Sequence, residues 1–448
     1  MEKAEKQTQK TLLKQDLKVT CHDFAVSRNC SKDRTLMESG EHRLQIPKEM
    51  KSSKKAWPII YIQIAGANLH EEATGVAHLI SDVVGGAIKR VHDKPLRGQT
   101  LLKVHIGEPK SVTRMRPEYV VGSARFLRDN GAEGIVAGDT TVAYTGLRGH
   151  RENTSGDCSP YLQAAKNQGW LEREGAGVPF VVIDRPVTAR QGKFEFDEEQ
   201  RHIKVSGVKH YRDFRIAGGF ASADFVINHA HMTLHGLAGF AGCVKSIAMG
   251  CSGLTGKLQM HKSLLPQFDP LLCTCCGQCV ESCPEGALKL EEDADFPLVD
   301  PELCIGCGEC EAVCHGNQRA IVMKGKKITD WDRGGETLPV RMADYAIGLM
   351  TGKWDNVVHV LHMYAITGRC DCVNTRQKPL LEHDLGFLVG KNPFAIDRLG
   401  AHMLVDALDE EGHVIGKSGL KSVETTTQYI YDTYGIVSEA PVEKISLS

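Results

Sequence analysis

Cys273, Cys276, Cys279 and Cys283 fall in the spacing CxxCxxCxxxC, followed by Pro284, within LLCTCCGQCVESCP. Twenty residues later Cys304, Cys307, Cys310 and Cys314 repeat it in CIGCGECEAVC, with His315 where proline is usual. Three thiolates on a tight turn can reach three corners of one cubane cluster, while the fourth, carried away along a short helix, reaches the other cluster. The spacing therefore predicts two [4Fe–4S] clusters with crossed ligation. One takes Cys273, Cys276, Cys279 and Cys314, and the other takes Cys304, Cys307, Cys310 and Cys283.

A structural zinc site is the alternative, because paired CxxC motifs also build tetrahedral thiolate sites. Zinc needs four thiolates per site and no third cysteine at the next interval, so the tandem run favours clusters. Cys275 falls outside the ligand register and is expected to be a buried or supporting thiol. About sixty residues here resemble the bacterial two-cluster ferredoxins. That resemblance implies low-potential one-electron transfer with an external donor or acceptor protein.

A ferredoxin module leaves most of the chain to be explained. Sequence motifs for dinucleotides, P-loop nucleotides, radical S-adenosylmethionine chemistry and the nucleophile elbow are all absent. The richest remaining segment runs from Ile227 to His261. His229 and His231 are two apart at the end of an apolar strand and so share a face. His235 follows, then a glycine-rich turn and a helix with Cys243 and Lys245, and Lys257 lies further on. The histidines could hold a metal, contact an anionic substrate or flavin phosphate together with Lys245 and Lys257, or serve as hydrogen-bonded loop residues. His229, His231, His235 and Lys245 are the catalytic candidates. Further candidates lie beyond other strand ends, where α/β domains place ligands. These are His105, Glu108, Arg114 and Arg116; then Asp139, Thr140, Tyr144, Arg148 and His150; and finally Cys370 and Cys372 in CDC, as metal ligands or as buried thiols.

HIGEP with the following RPEYV, GDTTVAYTGLR, the segment ending GLTGKLQMH, the twin cluster motif, CDC, and HDLG with NPFAID occur in this order. Together they are similar to the iron–sulfur branch of the domain of unknown function 362 family, over residues 58 to 410. The resemblance implies an iron–sulfur or ferredoxin-domain protein. Residues Asn228 to His231 depart from the serine- and lysine-containing form of that segment. The expected function is an oxygen-sensitive oxidoreductase whose clusters relay electrons to a small-molecule site in the α/β domain. The alternatives are an electron-transfer or maturation partner without an active site, and an isomerase or lyase with structural clusters.

These residues need a scaffold, and the hydrophobic pattern supplies one. Strands are predicted at Pro58–Ala65, near Thr100, at AEGIVAGDT, at Val178–Asp184, at Asp224–His231 and at Asp384–Gly390. Helices are predicted at His70–Val91, with Val76, Leu79, Ile80 and Val83 on its apolar face, and at Pro117–Gly131, Tyr161–Gln168, Val340–Met350 and Pro393–Leu408. Such alternation predicts an α/β fold with a mostly parallel sheet, and the cysteine-rich segment reads as a small inserted α+β ferredoxin-like module. The expected organisation is a basic, poorly structured extension over 1–57, an α/β domain over 58–265, the module over 266–328, and the α/β continuation with a C-terminal helix over 329–448.

Composition narrows the class further. The first 57 residues hold 13 Lys and Arg against 8 Asp and Glu, a local excess of +5, yet the whole chain carries only −2. That balance gives no reason to expect nucleic acid as a partner. No run approaches the ~18 apolar residues of a membrane span, and the first residues lack the apolar core of a secretory signal. A cytoplasmic protein is therefore expected. In that reducing compartment its 16 cysteines point to metal or redox chemistry rather than to a disulfide framework.

Overall fold

The computed structural model describes residues 40–447 apart from 65, 144–145, 172–174, 189–192, 236–237, 262–263, 282, 284–285, 302, 305–309, 311–313, 315–319, 326–337, 373 and 414. Eight strands form the central sheet: β1 (Ile59–Ile64), β2 (Gln99–Lys103), β3 (Gly134–Asp139), β4 (Phe180–Val182), β5 (Phe225–His231), β6 (Val357–Met363), β7 (Gly386–Gly390) and β8 (Val442–Leu447). Their spatial order is β8-β1-β7-β6-β5-β2-β3-β4. Both pairings of β7 are antiparallel and the others are parallel. The fold is thus α/β with a mostly parallel sheet. Strands buried on both faces are usually apolar nearly throughout; FVINHAH and VVHVLHM are fully buried despite five polar residues, which pair as Asn228 with His359, His229 with His362 and His231 with Asp371.

From β2 the chain moves outward through β3 to β4, then returns to the other side of β2 with β5 and continues to β6. The order reverses between β2 and β5, and an open α/β sheet has its ligand crevice at such a reversal, beyond the carboxyl ends of the strands. Lys103, Asp139 and His231 are the last residues of β2, β3 and β5.

Helix α1 (Thr74–Val91) packs on α2 (Val121–Asp129) through a close crossing. Its buried face is Ala77, Ile80, Val84, Ala87 and Ile88, whereas Val76 and Leu79 are exposed. The expected apolar stripe is therefore rotated. The crossing decides this: a Cβ on Gly122 would lie 2.7 Å from the Asp82 nitrogen, so the two backbones meet where only small residues fit.

Residues 40–57, expected to belong to a poorly structured extension, are built into the fold, and residues 1–39 lie outside the described residues. Gly40–Arg43 pairs in parallel with Gln200–Ser206, which pairs antiparallel with Asp213–Ala217. Met50 is fully buried, and its carbonyl accepts the Val437 N–H at 2.7 Å.

The cysteine-rich segment hangs from an antiparallel pair, Leu264–Phe268 with Ile321–Gly325, and contains the short hairpin Leu288–Lys289 with Leu298–Val299. β5 precedes it and β6 follows it, yet these two strands are direct neighbours, in register from Val357↔Val226 to His362↔His231. The segment therefore interrupts one sheet. Among the described residues no helix is long and apolar enough to cross a membrane.

Candidate functional site

A cavity of ≈ 220 Å³ opens at the strand reversal. Its wall is built by the ends of β2, β3 and β5, helix α3 (Cys243–Ala248), helix α4 (Leu254–Met260), the start of helix α5 (Leu338–Met350), and the loop carrying Cys370 to Cys372. Helix α3 is started from outside its own sequence. Asp397, on helix α6 (Pro393–Glu410), accepts the N–H groups of Cys243 and Val244 at 2.7 and 2.9 Å, satisfying two free donors of the first turn. Burial raises the Asp397 carboxyl to about 6. Gly242 lets that carboxylate approach, and Lys245 is thereby aimed at the cavity.

Asp139 organises one wall. Its carboxylate accepts from Lys103 Nζ at 3.0 Å, Arg148 Nη2 at 3.1 Å and the N–H groups of Ile106 and Thr140 at 3.2 and 2.9 Å. Burial alone would raise this carboxyl, but Lys103, the His105 hydrogen bond and Arg148 outweigh it and hold the group well below its usual range. Arg148 also donates to Glu108 at 3.0 Å, with both side chains buried.

His231 and Asp371 form the second fixed pair. The His231 Nε2 faces the Tyr364 carbonyl at 2.6 Å and Nδ1 faces the Asp371 carboxylate at 2.6 Å. Both partners are acceptors, so the ring carries hydrogen on both nitrogens. Burial opposes this, but the Asp371 charge and hydrogen bonds raise the imidazolium's pKa above the ordinary value. Asp371 also accepts the Ser111 hydroxyl at 2.9 Å, and its carbonyl accepts the Glu108 N–H at 2.9 Å.

On the same loop the Cys370 and Cys372 sulfurs lie 2.6 Å apart, and Lys245 Nζ donates to Cys370 Sγ at 3.3 Å. The thiol hydrogen bond from Cys372 lowers the Cys370 pKa well below the usual thiol range, with Lys245 and His105 adding to it against burial. Lys257 differs from the other cations. It is buried, donates to the Ser252 carbonyl at 2.6 Å, and is brought down to about 8 by burial. Thr233 Oγ1 is a buried hydroxyl on the same wall without a hydrogen-bond partner. Such groups in native interiors are usually satisfied, so this one suits an external acceptor. The cavity can hold a small anion against lysines beside a paired thiol.

Of the residues singled out by spacing, His231, His235, Lys245, Lys257, His105, Asp139, Thr140, Arg148, Cys370 and Cys372 come together here. His235 accepts the Ala238 N–H at 3.0 Å and is lowered to about 4, mainly by burial and then by Lys245. His229 does not join them. It shares the face of His231 but lies deeper, 2.8 Å from His362 Nε2, and burial lowers it to about 3. Arg114 and Arg116 border a separate cavity of ≈ 280 Å³. Arg116 is occupied with the carbonyls of Leu69, His70 and Glu72 at 3.0, 3.1 and 2.7 Å, so it serves the chain before α1. His150 stands beside Arg185 outside the main cavity, and Tyr144 lies outside the described residues. Sequence reading did not find Lys103, Thr233, Ser111 or His261. Lys103 ends an apolar strand two residues before His105, a charge inside a core pattern that could have marked it.

In the inserted module, Cys273, Cys276, Cys279 and Cys314 line one cavity together with Phe268, Leu272, Pro297 and Ile321. The chain turns there through positive φ at Cys275 and Gly277. The Cys275 thiol donates to the Ala294 and Asp295 carbonyls at 3.3 and 3.2 Å. Cys283 and Cys310 pack in the module's small core with Leu288 and Ile321, and Cys283 Sγ accepts the Ala287 N–H at 3.2 Å. Cys307 and His315 lie outside the described residues. Five thiols thus line this apolar chamber, Cys275 among them; Cys273, Cys276, Cys279 and Cys314 are the four that the spacing assigns to one cubane, which takes one thiolate at each iron. Among the described residues no group of three His, Cys, Asp or Glu side chains converges to hold a single metal ion.

Residues 100–402 match the family model described as "Domain of unknown function (DUF362)". No curated protein matches the chain. Among solved structures, the lactate racemase apoprotein from Thermoanaerobacterium thermosaccharolyticum is similar at 11% identity with a TM-score of 0.32, over 78% of this chain and 56% of that one. The chain thus spans just over half the length of that protein.

Proposed function

The chain belongs to the domain of unknown function 362 family, and from that premise we propose that it is an iron–sulfur oxidoreductase acting on a small anionic substrate in the cavity at the strand reversal. Cys273, Cys276, Cys279 and Cys314 would hold one [4Fe–4S] cluster, and Cys304, Cys307, Cys310 and Cys283 the other. Such clusters supply one-electron transfer when bound. The observation that carries the reading is where the module is rooted. His261, just before its first strand, and Leu338, at the start of α5 after it, both line the cavity. An insertion flanked in the sequence by residues that line a ligand crevice is suited to serving that crevice.

The chain's own residues divide the work. Lys257 and Thr233 are the groups with capacity for a bound carboxylate or phosphate oxygen. The pair Lys103 and Arg148 is already engaged by Asp139 and fixes the wall. His105, beside both Asp139 and Cys370, can hold or release a proton on its ring. Apolar Leu258, Leu338, Met249 and Met342 complete the lining and limit water.

The test is anaerobic purification with iron, sulfide and zinc analysis and electron paramagnetic resonance of the reduced protein. About eight irons per chain are expected from two cubanes, falling to about four in Cys310→Ser. Four or fewer in the fully reconstituted natural protein, or zinc in their place, overturns the reading.

A further inference from the structure

We propose that Cys370 and Cys372 are a redox-active pair, cycling between dithiol and intramolecular disulfide, and that this pair is the two-electron store of the cavity. The inference rests on the functional reading above for the source of its electrons. Four observations carry it. The two sulfurs are 2.6 Å apart, closer than unbonded thiols usually rest. The intervening Asp371 is held by Ser111, by His231 and through its carbonyl by Glu108, so the loop presents both thiols together. Lys245 Nζ stands 3.3 Å from Cys370 Sγ and can stabilise a thiolate there. Cys370 is buried while Cys372 is partly exposed, and both line the cavity, so one sulfur is sheltered and the other accessible.

Other buried thiols of the domain lack this setting. Cys158 and Cys251 are pushed up to about 12 by burial, the state of inert core thiols.

The chemistry balances within this group. On reduction the Sγ–Sγ bond breaks, two electrons enter from one-electron donors, one proton goes to Cys372 Sγ, and Cys370 Sγ remains a thiolate beside the Lys245 ammonium. On discharge the thiolate and thiol return two electrons and that proton to a two-electron-accepting anionic substrate, and the bond re-forms. The pair thereby converts one-electron supply into two-electron delivery.

The test uses the full chain, prepared anaerobically and poised in mixtures of reduced and oxidised dithiothreitol. Acid quenching, alkylation with N-ethylmaleimide under denaturing conditions and peptide mass spectrometry then report each cysteine. The peptide containing Cys370 and Cys372 is expected to pass from doubly alkylated to unalkylated with a two-electron Nernst slope. The Cys243 and Cys251 peptides are expected to stay alkylated throughout. Lys245→Met should favour the disulfide by about tenfold, because a charge-assisted hydrogen bond to the reduced form is lost. A pair that stays dithiol at every poise, or a Lys245→Met midpoint identical to the natural one, overturns the proposal. Iron content measured on the same samples separates the two readings. About eight irons with a pair that never oxidises refutes the dithiol store alone. Little iron with a pair that titrates refutes the cluster reading and leaves the store standing.

Discussion

Lys257→Met should make the protein more stable, and by an amount that depends on pH. Burial brings Lys257 from the ordinary 10.5 down to about 8. The difference, 10.5 − 8 = 2.5, corresponds to about 3.4 kcal/mol at about 1.36 kcal/mol per pH unit. At pH 7 the lysine is protonated in both folded and unfolded chains, so the folded state bears that whole penalty. Methionine fills similar space without charge, but it leaves the Ser252 carbonyl without its donor, at a cost of about 1 kcal/mol. The variant should therefore be about 2 kcal/mol more stable at pH 7. Between 8 and 10.5 the unfolded chain binds more protons than the folded one, so the natural protein gains stability as pH rises. At pH 9.5 it should have recovered about 2 kcal/mol, and the two proteins should then be nearly equal. Urea unfolding followed by the fluorescence of buried Trp170 and Trp354 reads both conditions. A variant no more stable at pH 7, or an advantage that does not shrink by pH 9.5, would refute the assignment of Lys257 as a desolvated cation held for a ligand.

Asp139→Asn should destabilise the domain by about 3–5 kcal/mol, because Lys103 and Arg148 lose a buried counter-charge; denaturant midpoints check this. The natural Asp139 stabilises above the ordinary carboxylate pKa and loses that contribution as pH falls through its depressed folded value, so the acid limb of the stability profile should flatten in the variant. Gly242→Ala should loosen the start of α3, since the new Cβ would lie 2.7 Å from the Asp397 carboxyl carbon; faster amide exchange at Cys243 and Val244 is the expected readout. Cys275→Ser should leave the iron content of the purified protein unchanged, whereas Cys273→Ser should lower it, and metal analysis distinguishes the two.

Much of this architecture is legible in the chain because it depends on local pattern. The sheet strands at 59–64, 134–139, 225–231 and 386–390 and the helices α5 and α6 follow from apolar runs and periodicity. Others escaped for physical reasons. Val357–Met363 is buried on both faces, so its two histidines break an alternation that was never there. Gly40–Arg43 is a short, polar edge strand whose pairing with Gln200–Ser206 is settled by a partner some 160 residues away. Val76 and Leu79 face outward because the glycine crossing at Gly122 sets the rotation of α1.

The site divides in the same way. Residue type and spacing alone marked the tandem cysteine run as a candidate cluster site, since a cubane's corners limit how far apart thiolates on one turn can stand. They also selected His231, Lys245, Lys257, Asp139 and the CDC pair as chemically capable. Only the tertiary structure decided which of them meet. His229 and His231 are equivalent along the strand, but one ends in the core beside His362 and the other at the strand's carboxyl end beside Asp371. Arg148 is a loop candidate in the sequence, and only the fold shows Asp139 and Glu108 closing on it. The histidine meetings join residues more than 130 positions apart and Arg148 meets Glu108 across 40, so no helical or strand period encodes them. They follow from the strand order that turns back between β2 and β5.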